Sequence, residues 1–286
     1  MSRLLIIMTL LMVGIFPAAG GERHFYTPIH DAGWRTDTGV LQCSLSQQIP
    51  NFGTVTFTSY AGGNFTLMYN LEREKPVRPV QKAVLSAEPP PWRQNIRASE
   101  ITTTTLVPGK KAIIFSRDAA LRALYELEKG MAPTLHFADW VDARDQMRVT
   151  TTAVRLKEAL TEFQVCSGNL HPDGFEDVNR RTLYFKPDNI ELNPKYYEDL
   201  NRIADYVKVD DAIERVVIKG YADDRGPEQY NEELSQMRVD TIRNYLLDRG
   251  VSEGKLVSIY FGEMQAKSSG RSEDRRVEIE LIRESS

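Results

Sequence analysis

The sequence predicts two domains, a β-rich N-terminal domain with one or two helices followed by an α/β domain. Short alternating runs of β-branched and aromatic residues dominate up to about residue 150, which is typical of strands and turns. From about residue 180 onward strand and helix patterns alternate, which is typical of an α/β unit. The 286 residues also suffice for two domains of about 150 residues each. We expect domain bounds of 22–166 and 180–286, joined by a linker at 167–179.

The first 21 residues have the pattern of a secretory signal peptide. Arg3 supplies a positive charge, residues 4–16 are mostly apolar, and small residues follow at 17–21. A membrane-spanning helix needs about 20 apolar residues, which is more than this run provides. We therefore expect cleavage before Gly21 or Glu22 and export of the mature chain. A retained N-terminal membrane anchor is the alternative.

One hairpin and several further strands are predicted in the N-terminal domain. Residues 53–60 and 65–69 alternate in polarity around a turn-forming segment at 61–64, so they predict a β-hairpin. The prolines at 89–91 indicate an exposed connection, because they cannot donate hydrogen bonds to a strand. We also predict strands at 82–86, 97–106 and 112–116, a helix with Asp118 as its N-cap and Gly130 as its stop, and a second helix at 155–165.

The C-terminal domain is predicted to contain four strands and two main helices. Asn193 followed by Pro194 is a typical helix start, because asparagine caps and proline fits the first turn. The predicted strands are 183–185, 216–222, 255–261 and 275–282, and a second helix is predicted at 231–249. The apolar faces of the two helices are predicted to be Tyr197, Leu200, Ala204 and Val207 in the first, and Leu234, Met237, Thr241, Ile242, Tyr245 and Leu246 in the second.

The chain contains two cysteines, Cys43 and Cys166. An oxidising compartment favours a disulfide between them, with two buried free thiols as the alternative. Such a crosslink would close a loop of about 120 residues and would stabilise the fold by about 4–5 kcal/mol. It would tie the front of the N-terminal domain to the segment beside the linker.

Several classes of function are disfavoured by the composition and by missing motifs. A net charge of −4 gives no basic surface for nucleic acid. The four histidines at positions 24, 30, 136 and 171 are scattered without metal-ligand spacing, so we expect neither a metal nor a cofactor. The sequence has no G-x-S-x-G or H-E-x-x-H motif and no histidine or cysteine cluster, so we do not expect an enzyme.

An acidic and a basic residue are predicted to line one pocket at the end of the sheet. Asp223 follows the strand at 216–222, and Arg238 lies two turns into the helix that packs back on that sheet. Arginine can grip a carboxylate in a bidentate manner, and a carboxylate can accept hydrogen bonds from an ammonium group. The pair would therefore suit a zwitterionic ligand. A plain intramolecular salt bridge between the two residues is the alternative.

The order of motifs from residue 180 to residue 283 resembles the OmpA-like peptidoglycan-binding family. The resemblance implies a βαβα-type domain with a mixed sheet. It is carried by Phe185, Asp188, Asn189 and Leu192, then by Gly220, Asp223, Gly226, Tyr230, Asn231, Leu234, Ser235 and Arg238, and finally by Gly262, Glu263 and the run from Arg275 to Ile279.

This resemblance also implies a ligand and roles for individual residues. In the family an Asp–Arg pair holds the ammonium and carboxylate at the D-centre of diaminopimelate in the peptide stem of peptidoglycan, which makes Asp223 and Arg238 the expected clamp. Ala222, Val239 and Asp274 depart from the family pattern, and the missing threonine hydroxyl at Ala222 bears on affinity. The expected supporting contacts are Asn231, Asp188, Asn189 and Arg275.

The N-terminal half resembles the MotY family of periplasmic flagellar-motor proteins. The segments that carry this resemblance begin at Cys43, Ile49, Pro89, Leu127 and Ala138. The resemblance implies a periplasmic protein of the flagellar basal body, whose partners would be peptidoglycan, ring components that include a MotX-like protein, and the stator. A general tether between outer envelope and peptidoglycan, without a motor, is the alternative function.

Two surface segments and three tryptophans are candidates for partner contacts in the N-terminal domain. Aromatic residues are common in interfaces, yet tryptophans lie more often in the core, and we expect this of Trp34, Trp92 and Trp140. The predicted turn at 127–130 and the segment at 89–93 are the stronger surface candidates.

Overall fold

The computed structural model describes residues 21–72, 81–93, 95–107, 109–139, 144–264 and 271–284. The predicted signal peptide before Gly21 and the residue Trp140 lie outside these ranges. The described residues form a β-rich N-terminal domain and an α/β C-terminal domain, as predicted. Their helices are too short or too polar to cross a membrane.

Two five-stranded sheets and two helices build the N-terminal domain. One sheet has the order β1-β10-β9-β6-β7, and the other has the order β2-β3-β4-β5-β8. The strands are β1 (Glu22–Tyr26), β2 (Arg35–Asp37), β3 (Gln42–Ile49), β4 (Gly53–Tyr60), β5 (Phe65–Leu71), β6 (Gln81–Glu88), β7 (Ser99–Leu106), β8 (Ala112–Phe115), β9 (Ala132–Ala138) and β10 (Gln146–Thr150), and the helices are α1 (Arg117–Glu128) and α2 (Leu156–Gly168).

The inward faces of both sheets share one hydrophobic core. Alternate residues point inward along each strand, such as Leu45 in β3 and Phe57 in β4, both fully buried. The predicted hairpin is confirmed as β4 and β5, which pair in antiparallel register. Trp34 packs against this core and donates its indole N–H to the carbonyl of Thr152, as expected of a core tryptophan.

Two expectations for the N-terminal domain are wrong. Helix α1 begins at Arg117 with Ser116 in the N-cap position, so Asp118 lies inside the first turn, where a carboxylate still favours the positive end of the helix dipole. Trp92 is 66% exposed rather than buried, because it lies in an exposed turn at 90–93 that includes the last two of the three prolines.

The C-terminal domain has a four-stranded mixed sheet with helices on one face. Its order is β11-β14-β12-β13, with β12 parallel to β13 and antiparallel to β14. The long helix α5 connects the two parallel strands, so the two strands and the helix form a βαβ unit. The elements are α3 (Phe175–Val178), β11 (Arg180–Tyr184), α4 (Tyr197–Val209), β12 (Ile213–Gly220), α5 (Glu228–Asp248), β13 (Leu256–Tyr260), α6 (Arg271–Asp274) and β14 (Arg276–Arg283).

The buried face of α5 differs from the predicted one in an informative way. Leu234, Ile242 and Leu246 are buried as expected, whereas Met237 is 41% exposed. Val239 is also buried, and three further inward positions are polar, because their side chains bind the loops around the end of the sheet. The buried polar residues of α5 are Asn231, Ser235 and Arg238.

The segment from Cys166 to Val178 contacts both domains. The predicted disulfide between Cys43 and Cys166 is present and joins β3 to the last turn of α2. Beyond it, the backbone N–H of His171 donates to Val40 of the N-terminal domain at 2.9 Å. The ring of His171 packs edge-on against Tyr206 of α4, and Asp173 pairs with Arg202 of α4.

A close backbone approach completes this contact between the domains. Gly62 has a φ of +76°, and a Cβ on it would lie 2.6 Å from Oδ2 of Asp177 and 2.7 Å from the amide nitrogen of Gly174. A side chain at position 62 would therefore collide with the segment between the domains. Leu41, just before β3, packs against the hydrophobic core of the C-terminal domain.

Candidate functional site

The candidate site lies where β12 ends and α5 begins. Gly220 closes β12 in a position that a side chain could not occupy, because a Cβ there would lie 2.6 Å from both the carbonyl of Ser235 and Cγ2 of Val239. The glycine lets α5 pack close to the strand end. This contact holds the polar face of α5 beside Asp223, three residues beyond Gly220.

An open cavity of about 490 Å³ lies at this end of the sheet. It is open to solvent and combines charged with apolar lining residues, which suits a small charged group at the end of a larger polymer better than a fully enclosed ligand. Its lining residues are Pro187, Asp188, Asp223, Arg225, Gly226, Pro227, Tyr230, Leu234 and Arg275.

Two arginines bind the carboxylate of Asp223. Arg225 donates from Nε and Nη2 to Oδ2 of Asp223 at 3.0 and 2.7 Å, and Arg275 donates from Nη1 to the same oxygen at 2.9 Å. Partial burial works against the charged carboxylate, but the hydrogen bonds from both arginines outweigh it and lower the pKa of Asp223. Asp223 is therefore ionised at neutral pH and suited to binding a cation rather than to transferring a proton.

Arg238 lies beneath the cavity and is fully buried. Its guanidinium donates to three backbone carbonyls, those of Lys186, Asn189 and Tyr221, at 3.1–3.3 Å. Burial lowers its pKa to about 10, and the nearby Arg275 acts in the same direction. The side chain remains a cation at neutral pH, held under the site.

The structure therefore gives the predicted pair separate partners. The carboxylate of Asp223 binds Arg225 and Arg275, while Arg238 binds carbonyls, so among the described residues no salt bridge joins Asp223 to Arg238. Arg238 instead fixes the loop at 186–189 against the end of β12. This loop carries Asp188 into the cavity.

The predicted supporting residues divide into two groups. Asp188 and Arg275 line the cavity, and the hydroxyl of Tyr230 lies 3.5 Å from Oδ1 of Asp188. Asn231 and Asn189 stabilise the walls of the cavity. The side chain of Asn231 donates to Glu263 at 2.7 Å. Asn189 accepts a hydrogen bond from Arg238 at its backbone carbonyl and another from the amide of Glu191 at its side chain.

Arg225 is a member of the site that sequence reasoning missed. It follows Asp223 by two residues, and its side chain is 46% exposed at the mouth of the cavity. Its position in the turn between Asp223 and Gly226 could have indicated this role, because a long arginine side chain there can fold back onto the carboxylate of Asp223. Among the described residues, no group of three or more histidine, cysteine, aspartate and glutamate side chains is placed to hold a metal ion.

Both halves of the chain match known protein families. Residues 25–172 match the MotY N-terminal domain, which is more than half of the chain, and residues 184–280 match the OmpA family. The chain belongs to the MotY family. It is 27% identical over 271 residues to the sodium-type flagellar protein MotY of Vibrio parahaemolyticus, an alignment that covers 93% of this chain and 92% of that protein.

The C-terminal domain of this MotY-family chain is also similar to peptidoglycan-associated lipoproteins. It is 33% identical over 103 residues to that of Pseudomonas putida, covering 34% of this chain and 61% of the relative. The crystal structure of the lipoprotein from Burkholderia pseudomallei is 26% identical, with a TM-score of 0.33, and covers 36% of this chain and 90% of that one.

Proposed function

We propose that this chain is a non-enzymatic structural component of the bacterial flagellar motor, located in the periplasm. Its C-terminal domain binds peptidoglycan and its N-terminal domain associates with the basal body, so that the chain anchors or stabilises the stator. The observation that carries the proposal is the joining, in one MotY-family chain, of a MotY N-terminal domain and an OmpA-family domain with a charged cavity.

The proposed ligand is the D-centre of diaminopimelate, which bears an ammonium and a carboxylate on one carbon. Asp223, with Asp188 beside it, would receive the ammonium, since both carboxylates line the cavity. Arg275 would support the site from the cavity wall by holding the carboxylate of Asp223 in place. Arg238 would act from below, because its buried charge favours an anion above it and its hydrogen bonds hold the loop that carries Asp188.

Sedimentation with peptidoglycan tests this proposal directly. We expect the purified mature chain to pellet with diaminopimelate-type sacculi and Asp223→Asn to stay in the supernatant, with affinity at least about tenfold lower because a charge-assisted contact is lost. The isosteric substitution keeps the shape of the site. Asp205→Asn is a matched control, since Asp205 lies on the exposed side of α4 and pairs there with Lys208.

If the parent and Asp223→Asn pelleted equally, Asp223 would not contribute to peptidoglycan binding. A parent that stays soluble with isolated sacculi and with intact basal bodies would end the wall-binding proposal altogether.

For the N-terminal domain we propose one contact surface, formed by Trp92, Arg93, Tyr125 and Lys129. Nη1 of Arg93 donates to the carbonyl of Lys129 at 2.6 Å, and this bond brings the two predicted surface segments together at the end of α1. Trp92 is 66% and Tyr125 55% exposed, and the ammonium of Lys129 lies 4.0 Å from the centre of the Tyr125 ring. Exposed aromatic residues beside cations are typical of interface centres.

Retention on basal bodies tests this surface. We expect the double variant Trp92→Ala and Tyr125→Ala to be lost from purified basal bodies while it still pellets with sacculi, because the two binding sites lie on different domains. The exposed Val209→Ala in the C-terminal domain serves as the control. Full retention of the double variant would show that the ring and stator partners bind elsewhere.

A further inference from the structure

Arg225 occupies the accessible side of Asp223. The carboxylate of Asp223 is only 9% exposed, and Arg225 covers it with two hydrogen bonds at 2.7 and 3.0 Å. A ligand ammonium that approaches Asp223 from the cavity therefore meets a cation that is already bound. Ligand entry must displace Arg225 or share the carboxylate with it.

The two arginines at Asp223 differ in their freedom to move. Arg275 is 12% exposed and is also held by the carbonyl of Phe185, which receives its Nε at 3.2 Å. Arg225 is 46% exposed, and the hydrogen bonds of its guanidinium within the described residues all go to Asp223. Arg275 is therefore part of the wall, whereas Arg225 can leave the carboxylate without disturbing other contacts.

We propose that Arg225 competes with the ligand's ammonium group for Asp223 and, once displaced, binds the ligand's carboxylate, so that the site selects a free carboxylate next to the ammonium. This inference rests on the proposed binding of peptidoglycan stems. It assigns specificity to an arginine in the turn before α5, rather than to the buried Arg238.

The exchange predicts that an amidated ligand binds more weakly than the free acid. A zwitterionic ligand breaks the ion pair between Arg225 and Asp223 but replaces it with two others. Its ammonium binds Asp223, and its carboxylate binds the displaced guanidinium of Arg225. An amidated group breaks the same pair and offers the guanidinium no charged partner. The lost charge-assisted hydrogen bonds correspond to about tenfold weaker binding of the amide.

The test compares two soluble probes on the full mature chain. One is a stem tripeptide that ends in meso-diaminopimelate as the free acid, and the other is the same tripeptide with the D-centre carboxylate amidated. Titration calorimetry of the parent is expected to give about tenfold tighter binding of the acid. In Arg225→Gln we expect the two probes to bind with about equal affinity. The amide should bind more tightly than it does to the parent, because no arginine competes for Asp223, and the acid should lose the arginine that binds its carboxylate.

Arg243→Gln is the matched control. Arg243 lies on α5, outside the cavity, and pairs with Glu253 at 2.6 Å, so its loss removes one charge from the domain without touching the site. This variant is expected to keep the parent's preference for the acid.

Two results would overturn the inference while leaving the proposed function intact. If Arg225→Gln weakened both probes by the same factor, Arg225 would be an ordinary contact rather than a competitor. If it changed neither, Arg225 would be a bystander. A parent that bound neither probe and did not pellet with sacculi would instead overturn the proposed function, and this inference with it.

Discussion

Arg238→Met is expected to lower the free energy of unfolding of the C-terminal domain by about 2–4 kcal/mol. The substitution keeps most of the side-chain volume but leaves the carbonyls of Lys186, Asn189 and Tyr221 without their donor. Each unsatisfied carbonyl costs about 1–3 kcal/mol, and relief of the buried charge together with better apolar packing offsets part of the sum. The loop that carries Asp188 should loosen first.

Hydrogen exchange in increasing urea separates this effect from the rest of the chain. The amides of β12 and α5 should lose protection at lower urea in Arg238→Met, whereas those of the N-terminal domain should be unchanged. Arg225→Gln is the control, because Arg225 is exposed at the mouth of the same cavity and supports no carbonyl. A methionine variant that stayed as stable as the parent but no longer pelleted with sacculi would make Arg238 a direct ligand contact instead.

The candidate site could be located from the sequence, but its internal pairing could not. Residue order along a strand, a turn and a helix brings Asp223 and Arg238 to one end of a sheet whatever the side chains do. Burial decides which arginine binds Asp223. Arg238 is buried beneath the loop, where its guanidinium donates to backbone carbonyls, whereas Arg225 and Arg275 reach the carboxylate. A sequence shows the charges and their spacing, and the depth of each group appears only in the fold.

The polar positions of α5 carry a second lesson of the same kind. Asn231, Ser235 and Arg238 continue the spacing of Leu234 and Ile242, so a helical face drawn through apolar residues alone moves to Met237, which is exposed. These polar residues lie at core spacing because they bind the loops around the cavity, through Glu263, Gly262 and Asn189.

Local patterns also explain which strands of the N-terminal domain were predicted. The hairpin of β4 and β5 needs only alternation and a turn between neighbours, which a short window contains. Strand β1 pairs in parallel with β10, which lies more than 120 residues away in the sequence. Such long-range pairings are decided by the shared core, so alternation in a short strand does not reveal them.

The disulfide lies beside the junction of the two domains. Cys166 lies in the last turn of α2, and the chain then leads to the contacts of His171 with Val40 and Tyr206. Without the crosslink, a pull on the C-terminal domain would peel α2 from the sheet that it covers. With the crosslink, the pull reaches β3 through Cys43, one strand inside the sheet edge. The bond therefore stabilises the N-terminal domain and also supports its junction with the C-terminal domain.

Removal of this disulfide is expected to cost about 4–5 kcal/mol of N-terminal domain stability, because it frees a closed loop of 123 residues in the unfolded chain. The double variant Cys43→Ser and Cys166→Ser should unfold at lower urea, as followed by the fluorescence of the partly buried Trp34. Exchange protection in β12 should stay at the parent's level, since the C-terminal core has no part in the loop. Ser44→Ala, beside Cys43 on the outer face of β3, controls for a change at this strand. If the double variant were as resistant to urea and protease as the parent, the crosslink would not be what stabilises this domain.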